Sequence, residues 1–167
     1  IPSPLNQYGF SKLKGERFIK EIFENYLIIR TSWLFGNNGH NFVESILKRA
    51  MEEEVLNVVN DQKGSPTYTI HLCNAVKILL RQDIRGILHI TNAGSCSWYD
   101  FALKILEFSG IKNVKVIPIT SKELSIPAIS PEDTRLDNTL FYKITGFMLP
   151  SWEKGLKEYL ENRRKVN

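Results

Sequence analysis

Pro4-Leu5-Asn6-Gln7-Tyr8-Gly9-Phe10-Ser11-Lys12-Leu13-Lys14-Gly15-Glu16 stands near the start of the chain, and the rest is organised around it. Tyr8 and Lys12 are four positions apart, so on a helix they lie one above the other. Asn6 is a candidate N-cap. Leu13, Phe18, Ile19, Ile22 and Phe23 recur at helical spacing, which predicts a helix to about Glu24. A lysine ammonium beside a phenol favours the phenolate and lowers a tyrosine pKa from its reference of about 10. A tyrosine so tuned passes a proton to or from a substrate oxygen near neutral pH. The same spacing also describes a half-exposed pair on an amphipathic helix.

Beyond this helix, Tyr26 to Thr31 is predicted as a buried strand, too short and too β-rich for a helix. Ser32 to Gly39 is its outgoing loop. Ligands of open α/β sheets sit beyond the carboxyl ends of strands, which places Trp33 where a ligand belongs; packing on a sheet edge is its other reading. Asn41 to Glu54 is a predicted helix with Phe42, Ile46, Leu47 and Ala50 on one face, and Val55 to Val59 a second strand. Asn60 to Thr67 is a polar loop with Gly64 and Pro66 as turn residues. A helix from Thr69 to Gln82 follows, capped by Thr69, with His71 at the surface or in a capping role. Strand Ile87 to Thr91 carries His89 as a structural histidine. Ser95 or Ser97 caps a helix from Trp98 to Ser109 that stops at Gly110. Val114 to Ile119 alternates as a half-buried strand does. Thr120 to Thr134 is irregular, and helices at Asn138 to Thr145 and Ser151 to Arg164 close the chain, the last capped by Ser151.

The bulk numbers exclude several classes. With 167 residues, 43% hydrophobic and 24% charged, the chain can bury a core. No apolar run approaches the roughly 20 residues of a membrane span. The net charge of +4 suits an anionic substrate, or only surface lysines. The basic tail Arg163-Arg164-Lys165 reads as a solvated helix end, and no motif for nucleic acid accompanies it. Cys73 and Cys96 lack metal spacing and fit a reducing, cytoplasmic setting. The three histidines share no zinc spacing, so no metal site is expected. No G-x-G-x-x-G occurs; Gly36, Gly39 and Gly64 do not follow that spacing.

The opening segment resembles the catalytic-helix region of extended short-chain dehydrogenases/reductases, in particular the dTDP-4-dehydrorhamnose reductase family. The likeness continues through Arg30-Thr31-Ser32-Trp33-Leu34-Phe35-Gly36, Asn41-Phe42-Val43 and Asp61-Gln62-Lys63-Gly64-Ser65-Pro66-Thr67-Tyr68. It resumes at Gly94-Ser95-Cys96-Ser97-Trp98-Tyr99-Asp100-Phe101-Ala102, and weakly at Arg135-Leu136-Asp137. The resemblance implies an α/β fold: the C-terminal part of a Rossmann-like doubly wound domain plus a small substrate-binding lobe. Residues 1–60 would supply later strands and the catalytic helix, and 61–167 mainly the lobe with returning sheet elements. It implies reduction of a 4-keto nucleotide sugar by NADPH or NADH. Tyr8 would protonate the keto oxygen, and Lys12 would assist it and hydrogen-bond the nicotinamide ribose. Trp33, Asn41, Phe42, Gln62, Ser65 and Thr67 would meet the substrate. The glycine-rich element lies upstream in the family, so a missing N-terminal half is the expected partner, with a homodimer allowed and the isolated chain inactive.

One departure stands out. The family usually carries an arginine immediately before the proline aligned with Ala128-Ile129-Ser130-Pro131, where it grips the diphosphate; here that place is Ser130. Arginine suits phosphate through its planar fork, and serine offers one uncharged hydroxyl. Arg135 is the candidate substitute. Two other readings stay open on the same scaffold: a nucleotide-sugar epimerase or dehydratase, and a non-catalytic subunit like the regulatory subunit of methionine adenosyltransferase.

Overall fold

The computed structural model describes residues 2–124 and 130–166. Ala128 and Ile129 of the expected phosphate segment lie outside the described residues, as do the side chains of Arg164 and Lys165.

Helix α1 (Gln7–Ile22) leads to strand β1 (Leu27–Arg30) and the short β2 (Leu34–Phe35). Helix α2 (Phe42–Glu52), strand β3 (Val55–Val59), and the short β4 (Lys63–Gly64) and β5 (Thr67–Tyr68) follow. Then come α3 (Thr69–Leu79), β6 (Gly86–His89), β7 (Cys96–Ser97), α4 (Trp98–Ser109), β8 (Lys115–Ile119), a 3-10 turn at Ser121–Leu124, α5 (Thr139–Thr145) and α6 (Trp152–Val166). Parallel pairs join β1 to β6, β2 to β5 and β3 to β8, while β4 and β7 run antiparallel. Parallel neighbours need long crossovers, and helices supply them, as expected of an α/β fold. Leu27 lies opposite Gly86 and Val55 opposite Lys115, so each long pair joins a strand before residue 60 to one after it.

The chain packs about two cores. The larger lies between α2, α4, α6 and the strands, with Phe35, Ile46, Leu56, Tyr68, Phe101, Ile105 and Leu156 buried. The smaller joins α3, β6 and α5 through Ala75, Leu79, Leu88, Ile90 and Phe141. Local chemistry sets the ends of the helices. Asn6 caps α1, Asn41 caps α2, and Ser97 with Asp100 forms a full capping box on α4. Gly110 ends α4 in the left-handed conformation at φ 76°.

The structure corrects several expectations. Thr69 does not cap α3: it is the first helical residue, and Tyr68 precedes it without a side-chain cap. The helix follows straight from β5, so no loop residue is left to serve. The Ser32–Gly39 and Asn60–Thr67 loops each contain short strand pieces. The expected irregular stretch after β8 includes the 3-10 turn, and its residue Asp133 bridges Lys63. His71 is not at the surface but buried, between Glu158 at 2.7 Å from Nε2 and the Asn92 amide at 2.8 Å from Nδ1. Asn92 donates to Nδ1, so Nε2 carries the proton and donates to Glu158. In α1, Phe18, Ile19 and Ile22 are exposed, as is Phe23 just past its end, and the helix has no buried residue. Helical spacing identified that row correctly, but nothing among the described residues covers it.

Candidate active site

The Asn6 side chain accepts from the Gly9 amide at 2.8 Å, so α1 starts just before Tyr8. Tyr8 is 71% exposed, and Lys12 Nζ sits over its ring, 5.5 Å from the centroid. An ammonium over a phenol face is held there by the ring quadrupole. Among the described residues neither the Tyr8 hydroxyl nor the Lys12 ammonium makes a hydrogen bond, so both are free to serve a ligand. Helix α1 is tied to β1 by Arg30, whose Nε and Nη2 reach the two Glu16 oxygens at 2.7 and 2.6 Å. The Arg30 hydrogen bonds hold the Glu16 carboxyl below the usual carboxylate range, against the opposing effect of burial.

β1 delivers Trp33 past its carboxyl end. The Ser32 hydroxyl donates to the Ser65 carbonyl at 3.0 Å, and the Thr67 amide donates to the Trp33 carbonyl at 3.0 Å. Trp33 adopts a left-handed backbone at φ 47°, a conformation that disfavours any residue with a Cβ by about 1–2 kcal/mol. Its indole lies against Gly64, where an added Cβ would fall 2.2 Å from Cε2. It also stacks on Trp98, with centroids 3.4 Å apart and planes 6° from parallel. Phe42 packs on Trp98 at 4.5 Å.

Two cavities meet here. One, of about 610 Å³, is lined by Tyr8, Trp33, Gln62, Trp98 and Ser130, with the entry loop at Pro4 and Leu5. The other, of about 570 Å³, is lined by Phe42, Arg49, Asn57, Val58, Lys122 and Glu132. Gln62, Trp98 and Ser130 line both. Both volumes fall in the range of small-molecule sites.

The structure therefore brings Tyr8, Trp33 and Gln62 together, with the Lys12 ammonium over the Tyr8 ring and Phe42 in the adjoining cavity. Asn41, Ser65 and Thr67 line neither cavity. The Asn41 side chain caps α2 and donates to the Gly36 and Gly39 carbonyls. Ser65 donates to the Gly94 carbonyl and Thr67 to the Ser65 carbonyl, both from buried positions. Arg135, the expected substitute for the arginine absent at Ser130, grips Asp133 instead and lines neither cavity. Its hydrogen bonds hold the Asp133 carboxyl down at about 2.

Sequence reasoning did not nominate Trp98, Arg49, Asn57 or Lys122. Trp98 was visible within a quoted block, but as the start of a helix. The other three gave no local signal, because their convergence depends on the β3–β8 pairing. Among the described residues no group of His, Cys, Asp and Glu is arranged to hold a metal, and no helix is long and apolar enough to cross a membrane.

This geometry has counterparts among known proteins. The spore coat polysaccharide biosynthesis protein SpsK of Bacillus subtilis (strain 168) is 41% identical over 160 residues, covering 96% of this chain and 56% of that protein. The dTDP-4-dehydrorhamnose reductase of Escherichia coli (strain K12) is 34% identical over 170 residues, covering 95% and 56%. The crystal structure of dTDP-4-dehydrorhamnose reductase from Bacillus anthracis str. Ames in complex with NADP superposes with a TM-score of 0.92. It shares 40% identity, covering 96% of this chain and 57% of that one. The chain thus spans about half the length of the curated relatives it matches. The family model described as RmlD substrate binding domain matches residues 1–165, and on that match the chain belongs to the RmlD substrate binding domain family.

Proposed function

We propose that this chain is the catalytic helix and substrate-binding portion of an enzyme that reduces a 4-keto nucleotide sugar of the dTDP-4-dehydrorhamnose type. The observation that carries the reading is the convergence of Tyr8, Trp33 and Gln62 on one cleft that shares a wall with a second, cation-bearing cavity. A nucleotide sugar has two ends joined by an anionic linker, and the paired cavities suit that shape. The keto sugar occupies the Tyr8 cleft. The nucleoside occupies the cavity with Phe42 and Asn57, and Arg49 and Lys122 supply positive charge to the linker.

In the reduction, the carbonyl carbon gains a hydride and the carbonyl oxygen a proton. Tyr8 gives that proton, and its exposed hydroxyl lies free for it. Lys12 has a free ammonium beside the Tyr8 ring, which fits a dinucleotide ribose as well as the phenol. NADPH or NADH, when bound, supplies the hydride. Trp33 and Gln62 orient the sugar. Asn41, Ser65 and Thr67 act one step back, by fixing the loops that carry these contacts. The bare apolar face of α1 supports a further part of this reading: the glycine-rich cofactor half lies outside this chain and covers that face. Residues 1–60 then belong with the cofactor half and 61–167 mainly with the substrate lobe, in a cytoplasmic enzyme.

The test uses the full-length protein, reduced dinucleotide and a 4-keto dTDP sugar, following the absorbance of the cofactor. Net consumption matched by a 4-hydroxy sugar is the expected result. Sugar interconversion without net consumption would replace this reading with an epimerase. Stable association with a methionine adenosyltransferase and no turnover would make the chain a regulatory subunit.

A further inference from the structure

Among the described residues, Trp98 is the one aromatic side chain that lines both cavities, and local hydrogen bonds hold its place at the start of a helix. It is the first residue of α4. The Ser97 hydroxyl accepts from the Asp100 amide at 3.0 Å, while the Asp100 carboxylate accepts from the Ser97 amide at 3.1 Å and from its hydroxyl at 2.7 Å. The preceding strand β7 pairs with β4, placing Cys96 opposite Gly64 and Ser97 opposite Lys63. The ladder that anchors Trp98 therefore also carries Gly64, the residue whose bare Cα the Trp33 indole lies against.

The Trp33 backbone is held through its carbonyl, which accepts from the Thr67 amide at 3.0 Å, but in a left-handed conformation at φ 47°, so the orientation of the indole is set by its side-chain neighbours. Gly64 and Trp98 restrain the indole: one leaves room for the ring, and the other stacks on it at 3.4 Å. Phe42 supports Trp98 from the side at 4.5 Å.

We infer that Trp98 is a positioning residue for the reaction: by stacking on Trp33 it sets the plane of that indole in the Tyr8 cleft, and so the alignment of the sugar with the Tyr8 hydroxyl. The inference rests on the function proposed above. It assigns Trp98 to orientation of the reacting end rather than to affinity for the nucleotide end. A small misplacement of a reacting centre can cost roughly a hundredfold in rate, whereas binding through distant groups persists.

The experiment compares Trp98→Leu and Trp98→Phe with wild type in the full-length enzyme. Three quantities are read: turnover with the 4-keto dTDP sugar, affinity for the nucleoside diphosphate without its sugar, and the exciton signal of the tryptophan pair in ultraviolet circular dichroism. Trp98→Leu is expected to lower kcat by roughly ten- to a hundredfold and to abolish the exciton signal. Affinity for the nucleoside diphosphate should stay within about threefold, which also shows that the variant is folded. Trp98→Phe, which keeps a stacking face, should recover part of the rate. A folded Trp98→Leu enzyme with wild-type kcat overturns the inference while leaving the reductase intact. Equal losses of rate and of nucleoside diphosphate affinity overturn it too, since Trp98 would then be a simple binding wall. A wild-type protein that consumes no cofactor refutes the proposed function and the inference with it.

Discussion

Replacing Gly64 by alanine tests the tryptophan pair without touching either ring. The backbone of Gly64 is not in the left-handed region, so alanine brings no conformational strain of its own. The methyl it adds would lie 2.2 Å from Trp33 Cε2, 2.5 Å from Nε1 and 2.6 Å from Cζ2. A flexible side chain tip would yield at little cost, but this ring is stacked on Trp98 at 3.4 Å and cannot retreat toward it. Either the indole leaves the stack or the β4–β7 ladder shifts. Overpacking a filled site costs about 1–3 kcal/mol. Losing an aromatic pair adds about 0.5–1.5 kcal/mol. Gly64→Ala should therefore destabilise the protein by about 2–4 kcal/mol in urea denaturation and weaken the tryptophan exciton signal. Gly15→Ala is the matched control. It lies inside α1 with nothing within 4 Å of the new methyl, and should gain up to about 1 kcal/mol. A Gly64→Ala protein within about 0.5 kcal/mol of wild type, its exciton signal intact, would refute the packing argument.

Tyr8→Phe removes the proposed proton donor and should lower kcat by roughly a hundredfold or more with little change in substrate KM; a smaller loss in steady-state assays would assign the proton elsewhere. Lys122 has no hydrogen bond or ion pair among the described residues, whereas Arg49 is held by Glu53 and Arg135 by Asp133. Lys122→Gln should therefore weaken nucleoside diphosphate binding by roughly tenfold, while Arg135→Gln should not, as calorimetry can measure. The Glu16–Arg30 pair makes α1 acid-sensitive. The Glu16 pKa is lowered in the fold, so its contribution is present above the ordinary carboxylate range and is lost as pH falls through the lowered value. Amide exchange in α1 should accelerate over that acid interval, and Glu16→Gln should remove the pH dependence. Asn92→Ala removes the hydrogen-bond partner of His71 Nδ1, leaving Glu158 on Nε2, and that of the Tyr68 amide, and should cost about 1–3 kcal/mol in thermal or chemical denaturation.

The covered half of this protein's logic was legible from local pattern. Asn6 announced the start of α1, and Ser95 or Ser97 that of α4, because a capping side chain acts on an amide only three residues away; the Asn41 cap of α2 came only with the structure. Alternation and β-branched runs marked β1, β3 and β8, since side-chain direction along a strand repeats every two residues. Tyr8, Lys12, Trp33 and Gln62 are legible in the sequence through ordered blocks that keep the family's spacing. Periodicity could not say what covers a face, so the α1 row read as any packed row does and proved exposed. His71 failed for the same reason. Its partners Asn92 and Glu158 are 21 and 87 residues away, and no local signal reports such a meeting.

Sequence alone determined where the long helices and the longer strands run and which phenol and ammonium share a helix face, because these depend on near neighbours along the chain; the α/β fold class rested on the resemblance carried by the ordered motif blocks. Tertiary structure alone decided that Trp98 stacks on Trp33 and that Arg49, Asn57 and Lys122 face one cavity. It also decided that the Asn41, Ser65 and Thr67 side chains hydrogen-bond to loop carbonyls and line neither cavity. Those arrangements arise from the β3–β8 and β4–β7 pairings, which join residues far apart in the chain and follow from burying a shared core rather than from any local preference.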